Sequence, residues 1–464
     1  MSTPIASRSA AAEPTAATSS KSLPFGLSVG WGMGTLAMSL MFQSTSVFLL
    51  KYIVDFVGIA AATAGTIVSL AKIYDAIVDP LIGTVSDRTQ TRWGRRRPYL
   101  FVGTFVAAVS FVLLFNLAAL DLANGLIFVV LFALLLNATG YSLFNIPYLA
   151  MPAEMTNDFH ERTKLIAFRT SAVGVGGLLA SSAGPVIIAH FGSGVAGYSA
   201  MSLVMGAIIL IAGLTCFWIT RNAPTATFVS QAGGSVGEQL RTAVQNKPFM
   251  LLLGVKLSHL IGLSMFMASL PFLFRNVLEL SYGALGLYFL VQNVATLATQ
   301  PLWLKLTRAI GKNRAYYIAV SIYFLGLASW LLAAKGEPDL LIGTRAVFTG
   351  IAAGGVLLLG QSMLPDTMQY DFQRTGLRRE GIFAGVYTTI EGLSFALGPA
   401  IVGIVLGAAG YIGGSGDVQQ PQSAQSAILI CASLLPALGI CGAGLIMTRY
   451  RLTAEDLRTP AEKT

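Results

Sequence analysis

Apolar runs of 18 or more residues recur along the whole chain, separated by short polar stretches. Each is long enough to cross a bilayer as a helix. The pattern predicts twelve spans, over 26–50, 58–82, 98–118, 124–148, 165–190, 197–220, 249–274, 282–304, 315–335, 340–364, 381–410 and 424–448. Hydrocarbon offers the backbone no water to bond, so each span is expected to be helical. The expected fold class is an all-α membrane protein.

The polar segments set the organisation. Residues 1–23, rich in Ser, Ala, Thr and Pro, read as a disordered tail. No short apolar region with a small-residue cleavage site precedes the first span, so a signal peptide is not expected. The longest interruption is the central loop 221–248, "RNAPTATFVSQAGGSVGEQLRTAVQNKP". It divides the spans into six-span halves, 24–220 and 249–448, and a tail follows at 449–464. Part of the loop, "GGSVGEQLRTAVQN", has the pattern of a short surface helix. "SDRTQTRWGRRRP" follows span 2 and "KLTRAIGKNR" follows span 8, a basic loop at the same place in each half. Such a parallel repeat is the pattern of the major facilitator fold, whose substrate sites lie near the midplane between the halves.

Composition agrees with membrane residence. The 464 residues are 54% hydrophobic and 11% charged, with a mean hydropathy of +0.69, whereas soluble domains carry about 25% charged residues. The 49 glycines suit close helix–helix approach. The net charge of +9 invites a nucleic-acid reading, but its distribution argues against one. With an internal N-terminus and alternating spans, the inner segments hold 23 of the 30 Lys and Arg; the outer side holds Lys51, Arg275 and Lys335, and four lie within spans. That asymmetry is a topology signal and predicts both termini in the cytoplasm. Cys216, Cys431 and Cys441 fall in spans, without disulfide or metal spacing.

Ionisable groups within hydrocarbon cost at least about 2.5 kcal/mol at the centre and are read first as functional. Here they are Lys72, Asp75, Asp79, Arg169, Lys256, His259, Arg345 and Glu391. Asp75 and Asp79, in "KIYDAIVDP", are four residues apart and share a helical face. Two carboxylates there hold a cation between them, or one takes up a proton. Either describes a cation site. The plainer reading pairs Asp75 with Lys72 and makes Asp79 a cap before Pro80. Arg169 either faces the interior or snorkels to the nearby interface. Lys256 and His259 share a face of span 7, where an interhelical hydrogen bond is expected. Arg345, near the outer end of span 10, is expected to snorkel. Glu391 lies deeper, as a second protonatable group or a structural one. In the loop, Arg88, Arg92, Arg95, Arg96 and Arg97 serve topology and anionic headgroups, or form a state-dependent gate with Asp87, Glu154 and Asp371.

Three stretches carry a resemblance: "YDAIVDPLIGTVSDRTQTRWGRRRPYL", "NIPYLAMPAEMTNDFHERTKLIAFR" and "PDTMQYDFQRTGLRREGIFAGVYTTIEGLSFALGPAIVGIVLGAAGY". Together they resemble the glycoside–pentoside–hexuronide:cation symporters, the melibiose-permease-like family of the major facilitator superfamily. The resemblance implies a multi-pass bacterial inner-membrane protein that couples solute uptake to H⁺ or Na⁺ without a cofactor. A monomer would suffice for the cycle. Asp75, Asp79 and Ser142 match the family's cation site. Val78 stands where a family member has an asparagine ligand, which favours H⁺, since a hard cation needs more oxygen ligands. Tyr141 and Arg169 match positions that line the family's solute cavity, Leu149 stands where a family member has a tryptophan, and Asn145, Leu149, Thr388 and Glu391 are taken with them as candidate solute-binding residues. Acids found elsewhere in the family are missing near Ser39 and at Asn145, and a lysine is missing at Gly392. The leading expectation is a cation-coupled carrier of a sugar or glycoside. Alternatives are the same fold carrying a lysolipid or organic anion, and a membrane assembly factor. An enzyme is not expected, because only His160, His190 and His259 are present and no nucleophile–base set appears. No phosphate-binding loop for ATP occurs either.

Overall fold

The computed structural model describes residues 23–120, 125–156, 158–223, 243–376, 380–414 and 418–452. The expected N-terminal tail, most of the expected central-loop helix and most of the C-terminal tail lie outside them. The order is α1 Phe25–Tyr52, α2 Ala61–Arg88, α3 Arg97–Leu114, α4 Leu126–Met155, α5 Phe159–Leu178, α6 Gly184–His190 and α7 Val195–Thr220. After the central loop come α8 Lys247–Phe272, α9 Tyr282–Ile310, α10 Lys312–Ala328, α11 Asp339–Thr375, α12 Glu380–Ala408, α13 Gln422–Ala432 and α14 Leu434–Met447. A π-helical turn, Leu179–Ala183, joins α5 to α6, so the two form one rod. α13 and α14 form the last rod, broken at Ser433.

Eleven helical segments among the described residues are long and apolar enough to cross a membrane. The expected eighth span differs. It is a 29-residue helix, α9, but Gln292, Asn293, Thr296, Thr299 and Gln300 keep it less apolar. Side chains terminate the polar ends where backbone donors would otherwise be orphaned. Asn246 caps α8 by accepting from the Phe249 amide at 3.0 Å. Ser281 caps α9 through the Ala284 amide at 3.3 Å. A π-helical turn ends the first helix on each side of the central loop, at Ile53–Val57 and Leu273–Val277.

α2 packs along α12, and α9 packs on α6 and the π turn before it. In the numbering of the twelve expected spans these are 2 with 11 and 8 with 5. Moving six spans along the chain turns one pairing into the other. α2 and α12 touch only because both present glycine. A Cβ on Gly65 would stand 2.5 Å from the Pro399 carbonyl, and one on Gly403 would stand 2.4 Å from the Ala61 carbonyl. Ser69 donates to the Ala396 carbonyl across the same contact. All of this lies at the ends away from the arginine loop. Toward the loop, Gly381, Gly385 and Gly392 of α12 face open space, as do Gly174 and Gly177 of α5. The two halves of the chain therefore diverge into a cleft open on the loop side.

Candidate solute and cation site

The floor of the cleft is aromatic. Phe42 of α1 meets Phe395 of α12 edge-on, with ring centroids 4.9 Å apart, and Tyr141 of α4 stands 6.4 Å from Phe42. Polar groups gather just on the loop side of that floor. Lys72 Nζ lies 5.2 Å from the Phe42 ring and 5.8 Å from the Tyr141 ring. It is 3.8 Å from Asp75 Oδ2. A small cavity lies between α1, α2 and α4, lined by Thr45, Lys72, Asp75, Asn137 and Tyr141 among others.

Asp75 and Asp79 share the inner face of α2, as the spacing predicts. Lys72 pairs with Asp75, so that part of the plainer reading is present. The capping part is not: α2 runs unbroken through Pro80 to Arg88. Proline inside a helix removes one backbone bond, and Thr84 Oγ1 donates to the Pro80 carbonyl at 2.8 Å. Among the described residues, Asp75 Oδ1, Asp79 Oδ1 and Ser142 Oγ are buried and make no hydrogen bond of good geometry, although Ser142 lies close enough to act on the Asp79 carboxylate. Ser142, fully buried, is the α4 neighbour of Asp79. Unpaired buried oxygens are costly, and three of them converge here.

Tyr141, Asn145 and Leu149 follow one another at four-residue spacing on one stripe of α4. Asn145 is half-buried and Leu149 is 38% exposed. Tyr141 lies in the electrostatic field of Asp75, Asp79, Glu391 and Arg169 together, which marks where the candidate groups meet. Arg169 turns inward. Its Nε is buried and unpartnered, and Tyr141 and Tyr148 both feel its charge. Thr388 is exposed and donates to its own helix at Gly385. Glu391 is paired: Lys256 Nζ of α8 reaches its Oε2 at 2.8 Å. His259 does not join Lys256 and instead packs 5.9 Å from the Tyr323 ring.

Arg345 departs from the snorkelling expectation. It is 5% exposed, forks Glu337, and lies 4.7 Å from the Trp330 ring. The arginine loop is braced within its own half of the chain. Glu154 accepts from Arg95 at 2.8 Å and Arg96 at 2.6 Å, and Arg96 also holds Asp87 at 2.6 Å. Arg97 donates to the Trp93 and Ala223 carbonyls, and Arg92 lies 5.3 Å from the Trp93 ring. Asp371 pairs at 3.4 Å with Arg374 on its own helix and keeps Oδ2 buried and unpartnered. The expected bridge from this loop to Asp371 is not formed while the cleft is open on this side.

Sequence reasoning missed the closed side. Lys51 at the end of α1 reads as an outer-loop charge, yet its side chain is 3% exposed. It pairs with Asp55 at 2.5 Å and donates to Asn276 of the other half at 2.7 Å. Tyr411, after α12, donates to Asp55 at 2.9 Å, and its hydroxyl lies 3.2 Å from Asn276 Oδ1. The spacing of Lys51 and Asp55, four residues apart near a span end, was the available signal.

Known proteins bear on this geometry in three ways. The chain is 30% identical over 435 residues to the glucuronide carrier protein homolog of Escherichia coli (strain K12), covering 93% of each chain. It is 26% identical over 428 residues to the isoprimeverose transporter of Lactiplantibacillus pentosus, covering 90% of this chain and 86% of that one. Among solved structures, a bacterial homolog to the human lysosomal transporter Spinster, described as inward-facing and unoccupied, aligns with a TM-score of 0.68 at 15% identity. It covers 94% of this chain and 100% of that one, and shows a shared fold. Residues 30–454 match the family described as MFS/sugar transport protein. The chain is therefore a multi-pass membrane transporter rather than an enzyme, and it belongs to that MFS/sugar transport family, within the glycoside–pentoside–hexuronide:cation symporter group whose motifs it carries.

Proposed function

We propose that this protein is a proton-coupled symporter of a sugar or glycoside in the bacterial inner membrane, working by alternating access between two six-span halves. The arginine-loop side and both termini face the cytoplasm, so the structure is inward-open. The single observation that carries the reading is the pair Asp75 and Asp79, each with a buried, unpartnered oxygen at the head of the cleft. Lys72 compensates Asp75, which leaves Asp79 beside Ser142 as the carboxylate that takes up the coupling ion. A proton neutralises it without the further oxygen ligands that Na⁺ requires, and Val78 supplies none. Neutralisation removes the cost of a charge at the midplane and favours solute binding among Tyr141, Asn145, Arg169 and Glu391. Rocking of the halves then exchanges the open side. Coupling is reciprocal, so bound solute raises ion affinity by the same factor.

The test is uptake into proteoliposomes under imposed pH and Na⁺ gradients. Wild-type protein should accumulate solute with an inward proton gradient alone. Asp79→Asn should lose uphill accumulation while still exchanging solute across the membrane at zero gradient. Accumulation that needs Na⁺, or an Asp79→Asn variant that still concentrates solute, would contradict the reading.

A further inference from the structure

The second charged group of the cleft is Glu391, and its surroundings define a role that sequence spacing could not reveal. Lys256 is 135 positions away in sequence, on α8, and its side chain is only 7% exposed. Its ammonium has three donors, and the structure accounts for each direction. Nζ donates to Glu391 Oε2 at 2.8 Å and to the Tyr387 carbonyl at 3.0 Å, and it lies 3.2 Å from the centroid of the Tyr387 ring. Lys256 thus has nothing left to offer a solute. Glu391 differs. One oxygen is held by Lys256, while the side chain as a whole remains 46% exposed at the cleft. Its nearest helical neighbour on the cleft side, Gly392, has open space around it. Glu391 sits one turn on the loop side of Phe395, which closes the floor against Phe42. Across the cleft, Tyr141 feels its charge.

We infer that Glu391 is the hydroxyl-accepting ligand for the sugar from the C-terminal half, and that Lys256 is its positioning residue. This rests on the sugar-symporter reading above and adds how the solute is recognised. A carboxylate with one oxygen fixed by a buried ammonium keeps one orientation. Its free oxygen then accepts from ring hydroxyls through charge-assisted hydrogen bonds, which are about twice as strong as neutral ones. The arrangement also sets polarity across the cleft. Hydroxyls face Glu391 on α12, and any carboxylate on the solute faces away from it, toward the unpartnered Nε of Arg169 on α5. The substrate class is a polyhydroxy ring, neutral at the end that meets α12.

The experiment is equilibrium binding to purified full-length protein, read by thermal shift and intrinsic tryptophan fluorescence. The probes are isoprimeverose, methyl β-D-xyloside and methyl β-D-glucuronide. For a probe that binds the wild type, Glu391→Gln and Lys256→Met should each weaken binding about tenfold or more. Lys256→Arg should remain within a few-fold of wild type. The double variant Lys256→Met/Glu391→Gln should bind no worse than either single variant, because both act through one interaction. Probes lacking the relevant hydroxyl should bind wild type and Glu391→Gln alike. Unchanged affinity in Glu391→Gln overturns the inference and leaves the sugar reading standing. Additive losses in the double variant overturn the positioning role of Lys256. If Lys256→Met does not fold, Lys256→Arg and Glu391→Gln still decide the matter. If no probe binds the wild type while the protein melts cooperatively, the sugar reading fails and takes this inference with it.

Discussion

Replacing Gly403 with alanine tests the claim that α2 and α12 seal one side of the cleft. The new Cβ would stand 2.4 Å from the Ala61 carbonyl oxygen and 2.9 Å from the Gly65 Cα. Both neighbours are backbone, so no side-chain rotation relieves the contact. Non-bonded carbon atoms prefer about 3.5–4.0 Å, and the helices must part by about 1 Å at that point. Overpacking of this kind costs about 1–3 kcal/mol. The cost falls only on the state in which these ends touch. A difference of 1–3 kcal/mol shifts a two-state equilibrium by about 5- to 150-fold, toward opening of the side that is closed here. Spin labels at Leu120 and Leu332, both exposed on that side, would report the distance between halves in a background lacking Cys216, Cys431 and Cys441. Gly403→Ala should lengthen that distance. A distance distribution identical to wild type, with unchanged thermal stability, would refute the reasoning.

Two further outcomes follow from buried charge. Lys72→Gln removes the compensating ammonium from Asp75 and leaves two carboxylates on one face; Na⁺ should then stabilise the protein against heat where it does not in the wild type, and a flat Na⁺ titration in the variant would count against Lys72 as the ion selector. Arg345→Met strands Glu337 in a site only 8% exposed, at a cost of about 3–5 kcal/mol. Its melting temperature should drop clearly, and adding Glu337→Gln should restore most of the loss.

The spans were readable because length and apolarity alone define a membrane helix. α9 blurs that rule, since Asn293 and Thr296 satisfy themselves inside the bundle. Asn293 bonds Ser181 across the halves at 3.1 Å, and Thr296 bonds the Gly350 carbonyl at 3.0 Å. Asp75 and Asp79 were visible as a pair because four-residue spacing is local information. Lys256 with Glu391, and Lys51 with Asn276, are contacts between distant segments, and no spacing rule relates them. Arg345 was misjudged for a related reason. Its position near a span end suggested an interface, whereas Glu337 and Trp330 enclose it.

The network on the closed side has an electrical consequence. Lys51 and Asp55 belong to one continuous helical rod, so the ion pair travels with a single half. The partners it must release on opening, Asn276 and Tyr411, are neutral. Lys256 and Glu391 likewise lie together on α8 and α12. Carrying one elementary charge through 100 mV is worth about 2.3 kcal/mol, but a compensated pair moving as a body carries almost none. These two pairs are therefore nearly silent to membrane voltage, and in the proposed cycle the potential acts through the charges that are not compensated in this way, Arg169 and the ion that Asp79 takes up.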